Sequence, residues 1–169
     1  MNSEFFKIYG AKERQDGIVV LSSNKACIYV GFGKDSEDAE SGYNWRKDYD
    51  HIPTIAEVKA DIEALINAHT DATILTGFSW NGKPVYLSSE NQFNFKAAYD
   101  LAVQTSGATL PVKFKLGEDE SGNAVYHTFE DLAEFTDFYT KSIAYVSDCL
   151  NEGWEEKDSI DYEKLIEDC

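Results

Sequence analysis

The chain reads as an α+β protein, with helices laid on antiparallel β-hairpins in the order helix, hairpin, helix, hairpin, helix, behind a small β-rich N-terminal segment. Three features lead to that reading. Thr54-Ile-Ala-Glu57 is a capping box, in which the Thr hydroxyl holds the N3 amide while the Glu reaches back. Asn81-Gly82 sits between short apolar runs and accepts the positive φ values of a type I′ turn. Leu132, Phe135, Tyr139, Ile143, Val146 and Leu150 recur at three- and four-residue steps, the spacing of one helix face.

Taken in order, Phe5 to Tyr9, Ile18 to Leu21 and Ala26 to Phe32 are short β-branched or aromatic runs. Gly10, Gly17 and Ser22-Ser23-Asn24 punctuate them, so they read as strands joined by turns. Gly33 to Gly42 carries Asp35, Glu37, Asp38 and Glu40 among small residues and reads as a solvated acidic loop. Tyr43 to Ile52 is extended. From Pro53 the grammar changes, and a helix is expected to run to about Leu75. Phe78 to Leu87 is a hairpin. Ser89-Glu-Asn-Gln92 is a second capping box, leading a helix with Phe95, Ala98, Tyr99 and Ala102 on one face. Pro111 to Leu116 and Ala124 to Thr128 flank a turn-rich stretch as the second hairpin. The longest helix follows, with Thr128-Phe-Glu-Asp131 as its start and Gly153 as its stop, and a short acidic helix covers about 159–167. Two regions result: residues 1–50 as a β-rich attachment segment and 53–169 as an α+β body.

Charge narrows the function. The 169 residues carry 15 Lys+Arg against 31 Asp+Glu, a net charge of −16. Phosphate attraction supplies most nucleic-acid affinity, so no nucleic-acid partner is expected. Anionic lipid is disfavoured for the same reason, and no apolar run approaches the ~20 residues that span a bilayer. Cys27, Cys149 and Cys169 are scattered, with no C-x-x-C, and are expected as reduced thiols.

Catalytic and metal signatures do not emerge. His51, His69 and His127 lack a second His or Cys at ligand spacing. Setting Gly122 at position six of a calcium loop places Gly117 at position one, where a side-chain ligand is needed. Gly31-Phe-Gly33 lacks the third glycine of a dinucleotide loop, and there is no G-x-S-x-G. No enzyme activity, cofactor or metal is therefore expected.

Two other patterns point to binding. Trp45, Trp80 and Trp154 lie in polar neighbourhoods, where an aromatic either covers a core edge or anchors a partner. Trp80, one residue before the hairpin tip, is expected to be the most exposed, and Trp80, Asn81 and Tyr86 form the candidate partner site. Ile55, Val58, Ile62 and Leu65 follow steps of 3, 4 and 3, which suits either a core-facing stripe or a self-association seam.

The run Gly77-Phe78-x-x-Asn81-Gly82-x-x-Val85-x-Leu87-x-Ser89-x-Asn91-Gln92-x-Asn94 resembles a domain of unknown function that recurs in bacteriophage tail-fibre and tail-fibre-associated proteins. The preceding Pro53-Thr54-Ile-Ala-Glu57-Val58 and the later Val112-Lys-Phe114 extend that resemblance over about residues 53–158. The Glu118 to Asn123 insertion lengthens the second hairpin relative to the pattern. The resemblance implies a non-enzymatic phage structural or tail-fibre-associated protein, made in the bacterial host cytoplasm and carried in the virion. Its implied partners are other phage structural proteins and further copies of itself. The alternative is a module that binds host-surface glycan through Trp80 and its neighbours.

Overall fold

The computed structural model describes residues 4–167 and is an α+β structure. Its elements in order are β1 (Phe6–Ala11), β2 (Gly17–Ser22), β3 (Lys25–Gly33), β4 (Gly42–Tyr49), α1 (Ile55–Thr76), β5 (Phe78–Trp80), β6 (Lys83–Val85), α2 (Ser89–Gln104), β7 (Val112–Glu118), β8 (Ala124–Phe129), α3 (Leu132–Asp158) and α4 (Lys164–Glu167). The expected succession of strands, helices and hairpins is present. Cys169 lies outside the described residues.

The chain divides into two compact units, residues 1–66 with 157–169 and residues 67–156. In the first, four antiparallel strands are ordered β1-β4-β3-β2. Ile18 pairs with Ile28, and Ala26 with Tyr49, so the period-two alternation puts these side chains on one face. That face is apolar and must be covered. Val58, Ile62 and Ile66 of α1 cover it, together with Leu165 of α4.

Two polar side chains of β4 reinforce the contact. Lys47 and Tyr49, two apart on the same face, both reach Asp61 of α1. Lys47 Nζ lies 2.6 Å from Oδ1, and the Tyr49 hydroxyl donates to Oδ2 at 2.7 Å. The helix begins as its capping box predicts. Thr54 N–H donates to Glu57 Oε2 at 2.8 Å, and Glu57 N–H donates back to Thr54 Oγ1 at 3.3 Å.

This arrangement corrects two expectations. The candidate self-association seam is not a seam. Val58 and Ile62 are fully buried against their own sheet, Leu65 packs beside them, and Ile55 alone of the four is exposed. The boundary expected between residues 50 and 53 also does not separate the units, because the first turns of α1 supply the other half of the N-terminal core. An apolar sheet face and an apolar helix stripe adjacent in sequence bury each other in preference to solvent.

In the second unit, β5-β6 and β7-β8 are antiparallel hairpins, and Tyr86 N–H donates to Leu116 O at 2.7 Å between them. Phe95 of α2, Phe129 of β8 and Phe135 and Phe138 of α3 fill the core with Trp80, Val85, Leu87 and Leu116. The capping assignments shift slightly. Ser88, not Ser89, caps α2, accepting from Asn91 N–H at 3.2 Å. Asp131, not Thr128, caps α3, accepting from Glu134 N–H at 2.9 Å. Gly153 does not end α3. It is buried inside the helix, where a Cβ would stand 2.5 Å from Thr70 Oγ1 of α1.

Burial, then the Asp61 bond, pushes the Tyr49 hydroxyl far above the ordinary phenol value of 10.0. A group whose folded value is raised stabilises below its unfolded value and loses that contribution as pH rises past it. The urea midpoint of the protein should therefore fall as pH rises above about 10. Tyr49→Phe should lose ~1 kcal/mol at pH 7 but decline less steeply in alkali. Ile62→Asp should cost several kcal/mol and leave the N-terminal unit unfolded by circular dichroism and proteolysis. A folded Ile62→Asp protein would place Ile62 outside the core.

Candidate functional site

The residues singled out at the hairpin separate once folded. Strand alternation decides this. Phe78 pairs with Val85 and Trp80 with Lys83, and these four share the inward face, while Ser79 and Pro84 pair on the outward one. Trp80 is accordingly 2% exposed, which corrects its expected place as an exposed anchor. Its ring lies 5.4 Å from Phe138, 5.6 Å from Phe129 and 5.0 Å from the His127 imidazole. Its indole N–H donates to Asp137 Oδ2 at 2.9 Å, so the polar edge of the buried ring is satisfied. Lys141 and then this indole bond hold Asp137 below the usual carboxylate range. The alternation Phe-Ser-Trp carried the signal for an inward indole.

Asn81 and Gly82 form the tip, with φ of 50° and 73°, the left-handed pair that a type I′ turn requires. Asn81 is exposed and Tyr86 half-exposed. Gly77, Ser79, Gly82, Pro84 and Tyr86 line an open cleft of about 550 Å³ together with Glu118, Asp119 and Glu120. The Asp119 carboxylate is engaged by its own loop. It accepts from Ser121 N–H at 2.9 Å, Asn123 N–H at 2.8 Å and Asn123 Nδ2 at 3.1 Å, and these bonds hold it in the ionised form. Lys115 pairs with Glu118 at 2.7 Å. Of the three residues expected to form a partner site, the structure thus leaves Asn81 and Tyr86 at the surface and removes Trp80.

The polar residues of the Gly77 to Asn94 run serve the backbone. Asn91 Nδ2 donates to Tyr86 O at 2.8 Å, and Gln92 Nε2 donates to Leu87 O at 2.6 Å. These bonds take up carbonyls where the chain leaves β6 and enters α2, carbonyls that no strand or helix ladder would otherwise use. Phe78, Val85 and Leu87 are buried. The run therefore builds a hairpin-to-helix junction, which the Asn91 and Gln92 amides hold.

A second polar line crosses beneath the hairpin. Lys83 Nζ lies 2.8 Å from His127 Nδ1, and His127 Nε2 lies 2.9 Å from Glu134 Oε1. An ammonium only donates, so Nδ1 accepts and Nε2 carries the proton toward Glu134. The imidazole thereby ties β6, β8 and α3 together. His51 is exposed between Asp50 and Glu57, whose hydrogen bonds raise its pKa, Asp50 foremost. Among the described residues, no group of three His, Cys, Asp or Glu is set to hold a metal ion, and no helix is long and apolar enough to cross a membrane.

Replacing Trp80 and Asn81 separates framework from surface. Trp80→Ala should cost ~3 to 5 kcal/mol and lower the urea midpoint steeply. Asn81→Gly, which keeps the left-handed conformation open, should shift it by no more than a few tenths of a kcal/mol. A mild Trp80→Ala effect would mean that the indole faces solvent.

No curated protein and no solved structure matches the chain. A family model does. It is described as a domain of unknown function, DUF4376, and it matches residues 57–168, from the first turn of α1 to beyond α4. That span holds both hairpins, the cleft and all four helices apart from the first two residues of α1, and the chain belongs to this family.

Proposed function

We propose that the protein is a non-enzymatic bacteriophage structural or tail-fibre-associated component, acting through protein–protein contacts in the virion or during its assembly. It is made in the bacterial host cytoplasm and ends in the particle. The observation that carries the reading is the use to which the Gly77 to Asn94 run is put. Its resemblance is to tail-fibre-associated domains, and its side chains brace a rigid hairpin on a helix. A braced hairpin with an open outer face is a surface for another protein, since a contact on a rigid element loses little ordering entropy on binding. The net charge of −16 favours solubility of a component made in quantity before it docks. Glycan stacking through Trp80 is disfavoured, because the indole is turned into the core.

Mass spectrometry of purified particles tests the reading. The chain should be present at a fixed copy number relative to the tail proteins. Tyr86→Ala, which leaves the core intact, should reduce that copy number several-fold without changing the urea midpoint. Absence of the chain from both particles and assembly intermediates would overturn the proposal.

A further inference from the structure

Helix α2 carries an exposed stripe that its own unit does not cover. Phe93 is 71% exposed and Leu101 50%, and Ala97 between them is also exposed. Glu90 and Gln104 continue the stripe at either end, both exposed. At about 100° per residue these five positions lie within a band of roughly 80°. Their steps along the chain are 3, 4, 4 and 3, the same read in either direction from Ala97. Phe95 and Ala102 of the same helix are buried, so α2 already packs its inner face and this stripe is a second, outer one.

We infer that this outer face of α2 pairs with the same face of a second copy of the chain, antiparallel and about a two-fold axis at Ala97. A two-fold axis brings each residue before Ala97 against the one equally far after it on the partner. Phe93 then meets the second copy's Leu101, the two small Ala97 side chains meet at the axis and permit close approach, and the Glu90 carboxylate meets the amide of Gln104. Charge agrees with the pairing. Lys96 and Asp100 lie on one flank of the stripe, where they form an ion pair within the helix. The two-fold places Lys96 of one copy about 3 Å along the axis from Asp100 of the other, on the same flank, given a rise of 1.5 Å per residue. Each Lys96 thus faces a carboxylate of either chain. In a protein of net charge −16, the Phe93 to Leu101 centre of the stripe is apolar and its Lys96–Asp100 flank is charge-balanced, which suits the approach of a second copy there. The inference does not depend on the virion reading and replaces the α1 seam as the site of self-association.

A single pair of 16-residue helices buries less than a standard interface, so the dimer is weak, with a dissociation constant on the order of 10 to 100 μM. Sedimentation of the full chain from ~10 to ~500 μM should show a monomer–dimer equilibrium. Phe93→Glu should abolish it while leaving the circular dichroism and urea midpoint unchanged, since Phe93 contributes little to the core. Lys96→Asp should weaken the dimer several-fold, and adding Asp100→Lys should restore it. In a Cys169→Ser background, Ala97→Cys should cross-link two copies on mild oxidation, because the axis brings the two thiols within disulfide reach, and Val103→Cys should not. A protein that stays monomeric at the highest concentration overturns the inference. So does a dimer that Phe93→Glu leaves intact, which would have formed through another surface.

Discussion

Phe138 of α3 stands where three other elements meet, and the second unit depends on what surrounds it. Phe129 of β8 lies 4.9 Å away, Phe95 of α2 5.1 Å and Trp80 of β5 5.4 Å. Phe135, one turn earlier on α3, stacks on Phe129 at 4.6 Å. Such ring pairs add directional preference to the area they bury, so they fix angles between elements as well as distances. Trp80 brings a constraint that the phenylalanines lack, because its N–H cannot be buried without an acceptor. Asp137, adjacent to Phe138 in sequence, supplies it. One residue pair on α3 therefore holds both the apolar body and the polar edge of the indole. The hairpin is seated by that pair.

From this follows the character of the outer hairpin face. A three-residue strand pairing with another three-residue strand has little stability of its own. Here it is seated from beneath by Trp80, tied through Lys83 and His127 to Glu134, and joined to α2 by Asn91 and Gln92. The turn and the cleft beside Tyr86 are thus displayed on a fixed base.

The N-terminal unit solves a different problem by similar means. Its sheet is apolar on the face that Ile18, Ile28 and Val30 share, and α1 answers with Val58, Ile62 and Ile66. Asp61, one residue from Ile62, meets Lys47 and Tyr49 of β4. A charged contact beside an apolar one fixes the rotation of the helix on the sheet, since turning the helix to expose Ile62 would also unpair Lys47. Both units thus set an aspartate next to a buried hydrophobic residue on a helix and aim it at a strand.

Local chemistry was legible in the sequence. The Thr54–Glu57 capping box and the left-handed Asn81-Gly82 turn each rest on interactions within a few residues, and each folds as read. Most strand positions of the first fifty residues were legible for the same reason. The stripe of α3 holds only in part, because Ile143 is exposed and Phe138, Ser142 and Cys149 are buried in its place. Tertiary structure alone decided what those elements face. Gly153 reads as a helix end, yet the close approach of Thr70 makes it an interior residue of α3. Ile62 suits a core or a seam equally in sequence, and only the presence of an uncovered sheet face chooses the core. Trp80 has polar neighbours in the chain but aromatic ones in space, because a strand sends adjacent side chains to opposite faces. The stripe at Phe93, Ala97 and Leu101 is hidden in the sequence for the converse reason. Beside the inward set of Phe95, Ala98 and Ala102 it is a second apolar face, and only the burial of the first shows that the other remains open. Spacing along a chain fixes which side chains share a face, whereas the partner of that face is fixed by elements distant in sequence.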